Sequence, residues 1–356
     1  MTHAAGTYRV LIEPGGMRRL PDLASELLGS RRLAAITDDT VRPLFPAWLH
    51  RADWPETVLS FPPGETHKTR ETWAALSDEL LHRGYGRDSA IIAVGGGVVG
   101  DVAGFVAATY ARGVPFLQVP TTLLAMLDAA VGGKTGVDTP HGKNLIGAFH
   151  PPAGVLVDPL VLGSLDAREY RAGLAEAVKH GLVADLSYFE WIEHHADALL
   201  SRDAEAVTRL VTESVAIKAR VVSEDEHETG RRATLNAGHT VAHAIEQATA
   251  YGMLHGEAVS LGLVAECGLA EVLGLAPAGT RARVTALLAR LGLPVRLPPT
   301  VDPDRLLAAM RLDKKNRAGA VRFALPLGLG VTRARNGSWT VTAPDHAIRV
   351  ALSVLA

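Results

Sequence analysis

The apolar run Ala90-Ile91-Ile92-Ala93-Val94 opens directly into Gly95-Gly96-Gly97-Val98-Val99-Gly100-Asp101, and no other stretch restricts the fold of this chain as much. A short apolar run closed by glycines reads as a strand buried on both faces, the kind found in parallel sheets. Parallel strands need crossover connections, usually helical. The segments Val98 to Tyr110 and Thr72 to Arg83 have the apolar spacing of such helices. Three other runs repeat the pattern. Leu33-Ala34-Ala35-Ile36 ends in Thr37-Asp38-Asp39, Phe116-Leu117-Gln118-Val119 in Pro120-Thr121-Thr122, and Gly154-Val155-Leu156-Val157 in Asp158-Pro159. Residues 1–165 are therefore expected to form an α/β domain with a parallel, Rossmann-like sheet that binds a dinucleotide.

Past about residue 165 the texture changes. Long amphipathic patterns run over Tyr170 to Val183, Ala204 to Ser223, Ala233 to Ala248 and His255 to Leu273. A Pro-rich interruption follows at Pro294 to Thr300, then a short strand at Val321 to Leu325 and a terminal strand plus helix. Residues 166–356 are expected to form a mainly α-helical domain. The crevice between two such halves is the default place for a ligand.

Composition narrows the functions. The 36 basic residues stand against 38 acidic ones, so the chain lacks the basic excess of a nucleic-acid binder. Its single cysteine, Cys267, rules out a disulfide framework or a Cys-rich zinc site and suits a reducing compartment. No charged-then-apolar leader opens residues 1–30, and no apolar run reaches the ~20 residues of a membrane span. The expectation is a soluble cytoplasmic protein with no nucleic-acid or membrane partner.

The glycine turn satisfies G-x-G-x-x-G, in which glycines let the backbone approach a pyrophosphate and the helix N-terminus attracts its charge. A ligand-free strand-to-helix turn uses the same residues. The usual acidic residue about 20 positions on is missing, because the next strand ends in Val119-Pro120-Thr121-Thr122. An earlier strand already ends in Asp38. A dinucleotide is thus expected, held in an unusual way, with Asp38 on a ribose hydroxyl and Thr121 and Thr122 donating to phosphate or ribose. Asp101 is either an acid favoured by the helix dipole or a group at the nicotinamide.

Histidines mark the second half. His239 and His243 stand four apart on one helix face, and His255 opens the next helical run. Glu176 and Lys179 lie three apart on an earlier helix. One Glu and two His make a ligand set used by catalytic zinc, with open positions for substrate oxygens. Spacing leaves open which of the three histidines converge, and each alone is equally an ordinary helix-cap or core histidine. H-E-x-x-H is absent, which excludes that class of zinc protease. Gly132-Gly133-Lys134-Thr135 and Gly142-Lys143-Asn144 resemble the tail of a phosphate loop. However, Asp128 occupies the position where an ATP-binding loop needs its first glycine. Those lysines, with Arg112, Lys218, Arg232, Lys314 and Lys315, suit a small polyanionic substrate, although any one of them is equally a solvated surface charge.

Taken together these strings resemble the 3-dehydroquinate synthase family of the sugar-phosphate cyclases. The resemblance runs from Asp38 to Lys315. It rests on Pro63-Gly64-Glu65 with Lys68, Gly95 to Gly113, Val119 to Asp138, Gly142 to Pro152, Gly173 to Gly181, Ser223 to Glu228, Leu235 to Glu246, His255 to Gly262 and Asp313-Lys314-Lys315, all in one order. It implies that Glu176, His239 and His255 hold zinc, with cobalt as the alternative ion. It implies NAD contacts from Asp38, Glu65, Lys68, Gly96, Gly97, Asp101, Thr121, Thr122, Asp128, Lys134, Lys143, Ser164 and Glu169. Ser164 stands where a threonine is usual. Substrate contacts are implied for Arg112, Asp128, Lys134, Asn144, Lys179, Lys218, Arg232, Asn236, His243 and one of Lys314 and Lys315, with catalytic roles for Lys179, Glu228, His243 and Lys134. Arg112 matches an arginine that reaches the neighbouring subunit's site, which implies a homodimer. Ala129-Ala130 and Ala237 depart from the family pattern without removing a charged group.

The implied substrate is 3-deoxy-D-arabino-heptulosonate 7-phosphate, an acid carrying a phosphate. The implied product is 3-dehydroquinate, within the shikimate pathway to chorismate and the aromatic amino acids. The implied route is transient oxidation by NAD, β-elimination of phosphate, re-reduction, ring opening and intramolecular aldol closure. Rival readings keep the scaffold and change the chemistry: an amino analogue of that substrate, sedoheptulose 7-phosphate or glucose 6-phosphate cyclisation, or a metal-dependent polyol dehydrogenase. A non-catalytic sugar-phosphate or nucleotide-binding protein is the rival from another class.

Overall fold

Apolar runs of four to seven residues build the first half of the molecule. The computed structural model describes residues 1–3, 6–49, 54–250, 252–312, 321–332 and 338–355. The chain divides into two compact units, Met1–Leu165 and Asp166–Ala356.

Besides a two-residue antiparallel pair, Thr2–His3 with Gly6–Thr7, the strands of the first unit are β1 (Arg9–Ile12), β2 (Arg32–Asp38), β3 (Thr57–Phe61), β4 (Ser89–Gly95), β5 (Phe116–Pro120), β6 (Lys134–Thr139), β7 (Gly142–Phe149) and β8 (Gly154–Val157). Six of them form one sheet in the order β1-β8-β5-β4-β2-β3. Every pairing in it is parallel, with Ile36 of β2 beside both Leu59 and Ala93, and Gly95 of β4 beside Pro120. The two outer strands, β1 and β3, are the two that the sequence patterns do not reveal. Edge strands keep one flank in solvent and lose the unbroken apolar signature of central ones. β6 and β7 form a separate antiparallel hairpin.

Helix α1 (Leu20–Leu28) precedes β2, α2 (Arg70–His82) precedes β4, and α3 (Gly97–Thr109) joins β4 to β5. Val99, Val102, Ala103 and Val106 of α3 sit in the main core with Ile36, Leu59, Ile91 and Phe116. Two glycines set how closely α3 lies on its neighbours. A Cβ at Gly100 would overlap the Gln118 side chain, and one at Gly104 would overlap Thr135.

The second unit is helical: α4 (Ala167–Ala184), α5 (Leu186–His194), α6 (Ala204–Glu224), α7 (His239–Ala248), α8 (His255–Val272), α9 (Thr280–Arg290), α10 (Pro303–Leu312) and α11 (Asp345–Ser353). Asp166 caps α4 by accepting from the Arg168 N–H at 2.7 Å, and Asp203 caps α6 by accepting from Ala206 at 2.9 Å. The helix expected from Ala233 instead starts at His239. Residues Arg231–Asn236 wind as a 3₁₀ turn, and Gly238 takes the left-handed φ of +82° that ends the continuity. A short antiparallel pair joins Arg322–Phe323 to Val341–Thr342. Among the described residues no helix is long and apolar enough to cross a membrane.

Candidate active site

The strand order of the first unit reverses between β2 and β4. The chain steps outward from β2 to β3, then returns to the other side of β2. Open α/β sheets bind ligands at the carboxyl ends of strands at such a point. Asp38 ends β2 and the three-glycine turn ends β4. Asp38 is half-buried, and its Oδ1 accepts from the N–H groups of Thr40 and Val41, both at 2.9 Å. The start of α3 has Gly96 as its cap residue with no side chain satisfying its N–H groups. Bulk is excluded there, since a Cβ on Gly96 would press on Thr122 at 3.1 Å and one on Gly97 on Ala129 at 3.3 Å. Beside this turn, Thr121 donates its N–H to the Gly95 carbonyl at 2.9 Å. Its Oγ1 is buried and has no hydrogen-bond partner in the structure. A buried, unsatisfied hydroxyl costs free energy unless a partner arrives. With a bare helix N-terminus and a glycine cradle, the arrangement fits a dinucleotide pyrophosphate. Thr122 faces its own helix turn, its Oγ1 accepting from Ala125 at 3.2 Å.

Lys68 organises a second cluster in this unit. Its buried amine meets Asp101 Oδ2 at 2.6 Å, donates to Asn144 Oδ1 at 2.6 Å and lies 3.9 Å from Glu65. Lys143 reaches Glu65 at 3.4 Å. Burial alone would lower the Lys68 pKa, but Asp101 and Glu65 outweigh it and hold it above the ordinary lysine value. Glu65 is the converse case, where Lys68 and Lys143 overcome burial and hold the carboxyl low. Asp101 thus lies beyond the first turn of α3 as an ion-pair partner, so the helix dipole does not account for it. Asn144, expected at substrate, is joined to the cofactor-side Lys68 and has a left-handed φ of +53°. Asp138 belongs here too, although no sequence pattern singles it out. Its N–H donates to the Lys68 carbonyl at 2.7 Å and its Oδ1 accepts from the Asn144 N–H at 2.8 Å. Burial pushes its pKa up to about 6, against the pull of Lys68.

Lys134 is exposed at the start of β6, and Asp128 is half-buried in the short helical turn after Thr122. Ser164 bonds the Val161 carbonyl at 2.8 Å. Arg112 is exposed with φ +69°, following Ala111 at +49°.

In the second unit, Glu176 and Lys179 are fully buried one turn apart on α4, and the carboxylate and amine are in contact. His239 opens α7 and His255 opens α8. Glu176 Oε1 stands 3.7 Å from His239 Nε2 and 3.6 Å from His255 Nε2. One donor atom from each of the three lies within 4.8 Å of the others. Ligands about 2.1 Å from a tetrahedral zinc are about 3.4 Å apart, so this spacing needs little adjustment to accept a divalent ion. Glycines set it. A Cβ on Gly256 would overlap the Ala172 carbonyl oxygen of α4, and one on Gly262 would overlap the Gly238 carbonyl oxygen. Bare backbone contact thereby brings α8 against both elements that carry the other donors. Glu266 of α8, buried, accepts from the Gly238 N–H at 2.7 Å and so steadies the start of α7.

The two histidines differ. Burial and the nearby Lys179 hold His239 well below the usual imidazole pKa, and its Nδ1 faces the Ala237 carbonyl at 3.2 Å. For His255, burial is outweighed by hydrogen bonds to Glu176 and Glu246, which raise its pKa to about 9. His243, one turn beyond His239, packs its ring edge-to-face at 5.6 Å and is not in the three-donor group.

Two of the expected anion binders, Lys218 on α6 and Arg232, are buried in the same unit. Asp225, also unassigned from sequence, folds the intervening loop. Its Oδ1 accepts from the Thr229 N–H at 3.0 Å, and its Oδ2 from Gly230 at 2.8 Å and Arg232 at 2.9 Å. Glu228 in that loop has φ +58°, and its carboxylate accepts from the Asn236 amide. Glu169 is exposed in the first turn of α4. Lys314 and Lys315 lie outside the described residues.

Comparison with known proteins agrees with this geometry. A family model described as 3-dehydroquinate synthase N-terminal matches residues 58–172, and one described as 3-dehydroquinate synthase C-terminal matches residues 173–316. The 3-dehydroquinate synthase of Pelobacter propionicus is 45% identical over 330 residues, 91% of each chain. Among solved structures, 2-epi-5-epi-valiolone synthase from Streptomyces hygroscopicus, with NAD+ and Zn2+ bound, is 30% identical with a TM-score of 0.84, covering 100% of this chain and 98% of that one. A 2-deoxy-scyllo-inosose synthase complexed with carbaglucose-6-phosphate, NAD+ and Co2+ is 26% identical with a TM-score of 0.86, covering 97% and 96%. With a parallel sheet, a glycine turn and a three-donor group carried on sequence this similar over most of its length, the chain belongs to the 3-dehydroquinate synthase family.

Proposed function

We propose that this enzyme converts 3-deoxy-D-arabino-heptulosonate 7-phosphate into 3-dehydroquinate and phosphate. The observation that carries this reading is the Glu176, His239 and His255 group with the buried Lys179 in contact with Glu176, in a helical unit that also buries the cations Lys218 and Arg232. When bound, NAD would accept a hydride and give it back within the cycle, and a divalent ion, zinc or cobalt, would acidify a substrate hydroxyl. Asp38, Glu65, Lys68, Asp101, Thr121, Thr122, Lys143 and the Gly96-Gly97 backbone hold the dinucleotide, with Asp128, Lys134, Ser164 and Glu169 completing its contacts. Glu176, His239 and His255 hold the ion.

The chain's own groups do the rest. Lys179 is excluded from water and ion-paired, which suits it to hold and return a hydroxyl proton. Glu228, fixed by Asn236, is the carboxylate suited to the complementary transfer. Arg232 with Lys218 pairs with the substrate carboxylate, for which the planar guanidinium offers two parallel donors. Lys134, Asn144, Asn236, His243 and one of Lys314 and Lys315 bind the phosphate. Arg112 is exposed on a left-handed backbone and is suited to reach outward. In this reading it completes a partner subunit's phosphate site in a homodimer. The buried lone Cys267 fits a reducing cytoplasm.

A substrate panel tests the reading. The purified chain, given NAD and zinc, should release phosphate from the heptulosonate phosphate and stop when a chelator removes the ion. Sedoheptulose 7-phosphate and glucose 6-phosphate lack the carboxylate and should be poor substrates. Faster phosphate release from either would move the assignment to a different cyclase.

A further inference from the structure

α7 carries His239, His243 and Glu246 at positions i, i+4 and i+7, one stripe along a helix. The metal group uses the first of them. The last is a buried carboxylate that the mechanism above leaves idle. Its Oε1 lies 3.3 Å from Nδ1 of His255, on the ring nitrogen opposite the one that faces Glu176. We propose that Glu246 is a positioning residue for the metal, anchoring the His255 ring and fixing its proton on Nδ1 so that Nε2 is left as the donor. This rests on the assignment of Glu176, His239 and His255 to a divalent ion.

The chemistry follows from the two ring nitrogens. A carboxylate accepting at Nδ1 requires the proton there, which leaves the Nε2 lone pair for the ion and makes the imidazole a stronger donor. The two histidines need this help unequally. His239 is only 12% exposed and its Nδ1 faces the peptide carbonyl of Ala237 within its own turn. The His255 side chain is 31% exposed and stands at the first position of α8. A ring with that freedom pays an ordering cost on binding an ion unless a fixed group holds it. Glu246 is fixed, being buried in a helix that packs along α8. One helix thus offers a ligand to the ion and an anchor to the ligand on the next helix.

The test measures metal affinity of the full-length protein, using zinc in competition with a chromophoric chelator and the visible absorption of bound cobalt. E246A should weaken zinc binding by about 10–100-fold, the usual effect of losing such a partner. E246Q keeps an acceptor oxygen without the charge and should fall between E246A and wild type. Both metal-free variants should unfold within a few degrees of the metal-free wild type, and the cobalt spectrum should change shape. Wild-type affinity in both variants would overturn the proposal. So would a loss of affinity in E246Q matched by an equal loss of metal-free stability, which marks a structural role only. If E246A does not fold, E246Q decides by the same criteria. Failure of the wild type itself to bind zinc or cobalt would instead overturn the metal assignment, which is a separate result.

Discussion

At the scale of residues, the buried charges of the first unit are balanced around Lys68, and Asp138 is the member with least support. Its carboxyl has an ordinary value of 3.8 and is raised to about 6, chiefly by burial. The folded protein therefore keeps a proton on Asp138 between those values that the unfolded chain has released. A group raised in this way contributes most below pH 3.8, and its contribution is lost as pH rises through about 6. The amide of a D138N variant cannot ionise and still offers an oxygen to the Asn144 N–H. Thermal unfolding of D138N, compared with wild type, should improve steadily from pH 4 to pH 7, about the window over which this carboxyl titrates. A relative stability of D138N that falls over the same range would contradict the burial account. Neither Asp138 nor Glu246 stands out in the sequence, because each acts through a neighbour that only folding supplies. Glu246 does leave a trace, as the third member of a helical stripe with two histidines.

At the scale of elements, legibility follows burial. The four central strands appear as apolar runs, interrupted only by Gln118 in Phe116–Pro120, whereas the edge strands Arg9–Ile12 and Thr57–Phe61 carry shorter or alternating apolar stretches. Sequence spacing starts the His239 helix too early, since the apolar pattern continues through Ala233 to Asn236 while Gly238 interrupts the backbone. The loop between Glu224 and Arg231 has no periodic pattern, and its shape depends on one carboxylate. Asp225 accepts three backbone N–H groups and thereby fixes Glu228 in an uncommon left-handed conformation. D225N would turn an amide NH₂ toward donors and lose at least one of these part-exposed hydrogen bonds, at a cost of about 0.5–1.5 kcal/mol. The expected outcome is a fall in kcat of about a hundredfold from misplacement of Glu228 and Arg232, with zinc affinity unchanged. Activity within about twofold of wild type would show that the loop does not depend on this clamp for its catalytic geometry.

At the scale of the molecule, the chain pairs two kinds of chemistry, a strand-order reversal with a glycine turn in one unit and a three-donor group with buried cations in the other. Motif order along the sequence reveals both, because these groups depend on local strings: a strand running into glycines, or histidines at the first turns of helices. Spacing alone leaves open which histidines converge. The tight contacts of Gly256 with Ala172 and of Gly262 with Gly238 bring His239 and His255, rather than His243, to Glu176. In the proposed function, both kinds of chemistry serve a reaction that borrows a hydride and returns it. The decisive experiment follows released phosphate and NADH absorbance together, with the heptulosonate phosphate, zinc, and NAD far below substrate. Phosphate should reach the substrate concentration while NADH does not accumulate. NADH rising in step with substrate consumed, or no phosphate at all, would mean that the hydride is not returned or that the substrate is another.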